Sequence, residues 1–209
     1  MLHISLGFTL MPSAVLADTP YSPHLHSLAA PRYMKLSVSG TPLSDQQATF
    51  EQLPWSCVYD RSTHLIWEVK SLRPGLHHYQ ETYAWFNSSH RNNNDKQQDN
   101  STPPPCLIQP CNSNTYIQST NNEAFCGLNQ WRLPTREELR SLVDYSIKYP
   151  GPTIDAAFFP HTVNQFYWSS VPYANNNESA WGVGFSFGYD YAYYKSNLAR
   201  IRLVHESIK

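Results

Sequence analysis

Apolar positions in this chain change period along its length, and the changes predict its elements. Residues 55–60 and 65–69 are apolar-aromatic runs that flank Arg61-Ser62-Thr63-His64, a pattern that predicts a β-hairpin with a four-residue turn. Trp131-Arg132-Leu133-Pro134-Thr135-Arg136-Glu137-Glu138-Leu139 then predicts an extended run into a helix. Thr135 is the N-cap and Glu138, three residues on, completes a capping box. Leu139, Leu142, Val143 and Ile147 recur at helical spacing, and Tyr149-Pro150-Gly151-Pro152 is the expected stop. Trp131 and Leu133 are expected in the core.

From Phe166 the period becomes two. Trp181, Val183, Phe185 and Phe187 alternate with Ala180, Gly182, Gly184 and Ser186, giving one bulky and one small face. Residues 166–170 precede this run, residues 191–196 pair back, and Ala199, Ile201 and Leu203 alternate with Arg200 and Arg202. The expectation is a C-terminal antiparallel meander packed on the helix of residue 135, an α+β fold with short helices and much irregular loop. Residues 115–124 predict a further short helix, with Gly127 suited to a left-handed cap. Residues 80–86 carry aromatic side chains expected to dock on the core, as do Phe158 and Phe159.

The N-terminal region differs from the rest. Residues 4–16 are mostly apolar and end at Val15-Leu16-Ala17 before Asp18, which reads as a signal peptide over residues 1–17. Its basic n-region is missing, which suggests a start truncated at the N-terminus. The run is too short to span a bilayer, and no later stretch is long and apolar enough. Residues 18–49 hold scattered prolines and read as an extended tail, with residues 32–39 able to add an edge strand. The domain itself is expected over residues 50–209. Residues 87–105, rich in Asn, Gln and Pro, have little to bury.

Composition narrows the function classes. The 209 residues hold 14 Tyr, 9 Phe and 6 Trp but only 15% charged side chains, at a net charge of −1. That balance gives no bulk attraction for nucleic acid. Cys57, Cys106, Cys111 and Cys126 fit an exported chain with two disulfides. Three pairings are open. The favoured one joins Cys106 to Cys111 across a Pro-bounded loop and Cys57 to Cys126, tying the hairpin to the segment before the helix. Zinc is disfavoured, because no second close Cys or His pair accompanies Cys106 and Cys111. The adjacent His77 and His78 diverge and make poor metal ligands. No cofactor is expected.

Catalytic motifs are lacking. Glu137 and Glu138 are explained by the helix start. Asp144 with His161 or His205 has no nucleophile beside it. Binding has better material: Tyr173, Asn175, Asn176 and Asn177 in one stretch, and Tyr189, Asp190, Tyr191, Tyr193 and Tyr194 in another. Tyrosine supplies large contact area at low entropy cost and stacks on sugar faces, and Asn and Asp meet hydroxyls.

An ordered series of motifs carries a resemblance: Trp55-Ser56-Cys57-Val58-Tyr59-Asp60, Thr63-His64-Leu65-Ile66-Trp67-Glu68, Tyr83-Ala84-Trp85, Cys126-Gly127, Trp131-Arg132-Leu133-Pro134-Thr135, Leu142-Val143-Asp144-Tyr145, Tyr167-Trp168-Ser169-Ser170, Ala180-Trp181 and Arg202-Leu203-Val204. Over residues 50–205 the chain resembles the domain of unknown function at the C-terminus of the Legionella collagen-like adhesin. That family is grouped with C-type-lectin-like and formylglycine-generating-enzyme folds. His64 stands where the family commonly has Gly, and no collagen-like repeat precedes the domain. The resemblance implies a bacterial module that is secreted, periplasmic or displayed at the cell surface. It implies adhesion to a glycan or protein ligand and no catalysis, since the chain has no matching pair of active-site cysteines outside the expected disulfides. Two alternatives accompany it: a structural subunit assembling as a homo-oligomer such as a trimer, and a variable protein of a diversity-generating retroelement.

Overall fold

In a computed structural model, residues 30–86, 106–108 and 111–207 are described. The expected signal peptide and the Asn/Gln/Pro-rich stretch lie outside the described residues. Residues from Pro31 onward form one compact unit, which is α+β. Four strands, β1 (Tyr33–Leu36), β2 (Cys57–Asp60), β3 (Leu65–Glu68) and β7 (Val204–Glu206), make an antiparallel sheet in the order β1-β2-β3-β7. Three more, β4 (Phe166–Pro172), β5 (Ser179–Gly184) and β6 (Tyr189–Tyr194), make an antiparallel meander. Among the described residues are also two α-helices, α1 (Ser113–Asn122) and α2 (Arg136–Arg140), and a short 3-10 helix at Phe125–Gly127. Edge strand β1 comes from the segment that reads as a tail, and Lys35, Leu36 and Ala48 there are buried.

Alternation along the strands divides the interior into two cores. Cys57, Phe166, Trp168 and Ala180 face one core, with Tyr83, Trp85, Tyr116 of α1 and Trp131. Val58, Trp67, Tyr167, Val183 and Phe185 face the other, with Leu139 of α2 and Phe159. Strands β1 to β5 therefore bury side chains on both faces, whereas β6 has no buried residue. The β2–β3 turn closes at His64, whose φ of 58° is left-handed. A bond of 2.9 Å between its Nδ1 and the Tyr59 hydroxyl helps hold that conformation. Gly127, φ 67°, provides the expected left-handed turn, and Cys126 beside it pairs with Cys57, while Cys106 pairs with Cys111.

Two expectations are corrected. The capping box at Thr135 forms, with Glu138 N–H to Thr135 Oγ1 at 3.1 Å and Thr135 N–H to Glu138 Oε2 at 2.7 Å. The helix nevertheless ends at Arg140 instead of running past Ile147. Ser141 Oγ donates to the Glu138 carbonyl, Asp144 N–H donates to Thr153, and Asp144 Oδ1 takes the Ser146 N–H. Local side-chain bonds of this kind compete with the helical ladder, so Leu142 and Val143 reach the core from turns.

The second correction concerns the end of the chain. Residues 199–203 do not add a fourth meander strand. Trp168 N–H donates to Arg200 and Arg200 N–H to Phe166, then Glu68 N–H donates to Leu203, and β7 pairs with β3. This segment is a seam joining the two sheets. Arg202 is therefore fully buried, with its guanidinium on the Glu68 carbonyl at 2.6 Å and on Thr162 Oγ1 at 2.7 Å.

The small face of β5 has a steric cause. A Cβ on Gly182 would lie 2.2 Å from the Tyr167 carbonyl oxygen and 2.4 Å from the Phe166 ring. Relief would require breaking the β4–β5 ladder, so Gly182→Ala is expected to lower stability by about 1–3 kcal/mol. Gly184→Ala, whose nearest contact is the Tyr191 ring edge at 3.1 Å, should lose less. Urea midpoints of the two variants check the ranking.

Candidate functional site

The meander builds the candidate site. Phe166 pairs with Gly184, Trp168 with Gly182, and across β5 Gly184 pairs with Tyr189, Gly182 with Tyr191 and Ala180 with Tyr193. These residues share one face. With no side chains on the two glycines, rings from both flanking strands meet over β5. Phe166 lies 4.6 Å from Tyr191 and 5.2 Å from Tyr193, and Trp168 lies 6.0 Å from Tyr193. Phe166 and Trp168 are buried beneath, while Tyr189, Tyr191 and Tyr193 keep 66%, 45% and 37% of their surface exposed. Partial burial, with Tyr193 adding to it, raises the Tyr191 phenol above its ordinary value, so it stays neutral at physiological pH. Tyr189 continues into a ring stack: Phe187 is parallel to it at 5.9 Å, and Tyr149 is parallel to Phe187 at 4.5 Å.

The nine side chains singled out in the sequence do not form one surface. Strand alternation sends Asp190 and Tyr194 to the opposite face from Tyr191 and Tyr193. Asp190 is held there by Arg136 at 3.5 Å and Arg140 at 3.7 Å. Tyr173 is half-buried edge-on against Trp181 at 5.2 Å, and the Arg136 guanidinium covers that indole at 4.7 Å. Asn176 is spent on the β4–β5 turn, its Oδ1 accepting from Glu178 N–H at 2.9 Å, whereas Asn175 and Asn177 are exposed. Tyr189 to Tyr194 stand on strand β6 and not in a loop.

Sequence reasoning missed the contribution of Phe166, Trp168, Phe187 and Tyr149 to the ring layer. The alternation of Phe166 and Trp168 opposite the small face of β5 was the available signal. It also missed a buried polar cluster behind β3. Glu68 Oε1 accepts from Lys70 Nζ at 2.6 Å and from the Tyr116 hydroxyl, and it pairs with His77 Nδ1 at 2.8 Å. His77 Nε2 pairs with Glu123, and its ring stacks on Phe125 at 3.8 Å. Every member has a protein partner, so the cluster is a staple between β3, α1 and the seam. Among the described residues no group of three or more His, Cys, Asp or Glu side chains is placed to hold a metal ion.

The fold and this surface define a doubly disulfide-bonded α+β module that displays aromatic rings on one sheet face. The chain belongs to the Lcl C-terminal domain family, whose model matches residues 56–205. No curated protein matches it. Among the described residues no helix is long and apolar enough to cross a membrane.

Proposed function

We propose that this domain is a non-catalytic recognition module of the cell exterior, docking a glycan or protein ligand on the ring face of β6. The observation that carries the reading is the layer of Tyr189, Tyr191 and Tyr193 seated on buried Phe166 and Trp168. Such rings are fixed before binding, so little side-chain entropy is lost on contact. Family membership and two disulfides, which persist in oxidising compartments, support placement outside the cytoplasm.

The test is the double variant Tyr191→Ala/Tyr193→Ala with Tyr189→Ala beside it, assayed on a broad glycan array and on host-cell adhesion. At least a tenfold loss of binding is expected, as for aromatic anchors elsewhere, with the far-ultraviolet spectrum unchanged. Binding equal to that of the unaltered chain by both variants would refute it. Light scattering separates the other reading: a stable trimer that dissociates in these variants marks the tyrosines as a subunit interface.

A further inference from the structure

A second candidate lies beside the meander and uses none of the β6 tyrosines. Between the start of β1 and the turns after α2 is a cavity of about 510 Å³, lined by Arg32, Tyr33, Asp144, Tyr145, Asp155 and Phe158 among others. Its volume falls within the range of small-ligand sites. Tyr145 joins it to the hairpin between β5 and β6, donating to the Gly188 carbonyl at 3.2 Å.

The polar groups of this cavity are underused. Asp144 Oδ1 takes the Ser146 N–H and hydroxyl, and Asp155 Oδ1 takes the Ala157 N–H, which leaves the second oxygen of each carboxylate without a partner. Tyr33 is more than nine-tenths buried against Phe158 and Phe159, yet its hydroxyl makes no hydrogen bond. Tyr33 is one of the residues lining the cavity, and its hydroxyl oxygen is not fully enclosed. Buried phenols ordinarily find a partner. The cation in the cavity wall, Arg32, is neutralised by Asp60, on which it makes bonds of 2.6–3.1 Å. Among the described residues neither Asp144 nor Asp155 is in an ion pair, although Lys35, whose Nζ lies 5.3 Å from the Phe158 ring, feels the Asp155 charge; the cavity thus offers two carboxylates, aromatic walls and the Tyr33 phenol.

We propose that this cavity is a subsite for an amino sugar, with Asp144 and Asp155 receiving its protonated amine, the Tyr33 hydroxyl a ring hydroxyl, and Tyr145 and Phe158 the pyranose face. Carboxylates with aromatic walls select a cation. The idle phenol and spare carboxylate oxygens select a ligand rich in hydroxyls over a bare alkylammonium chain.

Asp144→Asn and Asp155→Asn test this cleanly, because the amide keeps the Oδ1 acceptor that each local turn needs. Calorimetric titration of the full chain with a glucosamine oligomer should show binding that weakens about tenfold in each variant. It should weaken severalfold in Tyr33→Phe, fall with added salt, and persist in Tyr191→Ala/Tyr193→Ala. Equal binding of the N-acetylated oligomer, equal binding by the Asn variants, or no binding at all would overturn the assignment. An oligolysine peptide that binds as tightly with the same Asp dependence would overturn it too, since the sugar would then not be read. The Tyr191/Tyr193 variant separates failure of this site from failure of the β6 ring face.

Discussion

Glu68→Gln is expected to destabilise the domain by about 3–5 kcal/mol, the cost of leaving a buried charge without its partner. Glu68 and Lys70 are both buried, and Lys70 Nζ has Glu68 Oε1 at 2.6 Å. Glutamine keeps the shape but removes the charge that offsets the ammonium. It also cannot accept on both oxygens from Lys70, Tyr116 and the Leu203 N–H, which sits on Oε2 at 2.9 Å. Urea unfolding at neutral pH measures the loss. A value under about 1 kcal/mol, the scale of an exposed pair, would contradict the assignment of this cluster as a staple.

The same cluster sets a pH dependence. Burial alone would raise the Glu68 carboxyl, but Lys70 and His77 outweigh it and hold the group well below its ordinary value of 4.5. A depressed carboxylate stabilises the fold fully above its unfolded pKa, and the contribution is lost as pH falls below it. For His77, burial acts downward, and its bonds to Glu123 and Glu68 overcome it, so the imidazole lies above its ordinary 6.5. That contribution is complete below 6.5 and disappears as pH rises through the folded value. The urea midpoint should therefore fall on both sides of the mildly acidic range. Glu68→Gln should flatten the acid limb and His77→Gln the alkaline one.

Removing the Cys57–Cys126 bond has the other large expected effect. The two cysteines are 69 residues apart, and a loop of that length corresponds to about 4 kcal/mol of chain entropy. Both sulfurs are buried in the core with Trp131 and Trp168, so Cys57→Ala/Cys126→Ala also leaves a void. Cys106→Ala/Cys111→Ala opens a separation of only 5, for which the same relation gives about 2 kcal/mol. Thermal melts of both pairs, with and without reductant, check the order. Equal losses would mean that loop length does not govern what each crosslink contributes.

Elements specified by neighbouring residues were legible in the sequence. The hairpin across residues 61–64, the Thr135 capping box and the alternation of β5 all depend on side chains within a few positions of one another. What failed depends on distant partners. Helical spacing at Leu142 and Val143 records burial, not helix, because Thr153 claims the Asp144 N–H from another part of the chain. Arg202 alternates like a solvent-facing side chain, yet Glu68 and Thr162 receive it inside. The tyrosines of β6 were visible as a composition, but their division between faces required the register with β5. His77 and His78 do diverge, and the divergence is what lets His77 alone enter the cluster.

The seam of residues 199–203 also bears on how the molecule comes into being. Glu68 waits for the Leu203 amide, 135 positions later, and β3 has no outer neighbour until β7 arrives. Such distant closures are slow. A nascent chain emerging from its amino end therefore cannot complete this sheet until nearly all of it is available.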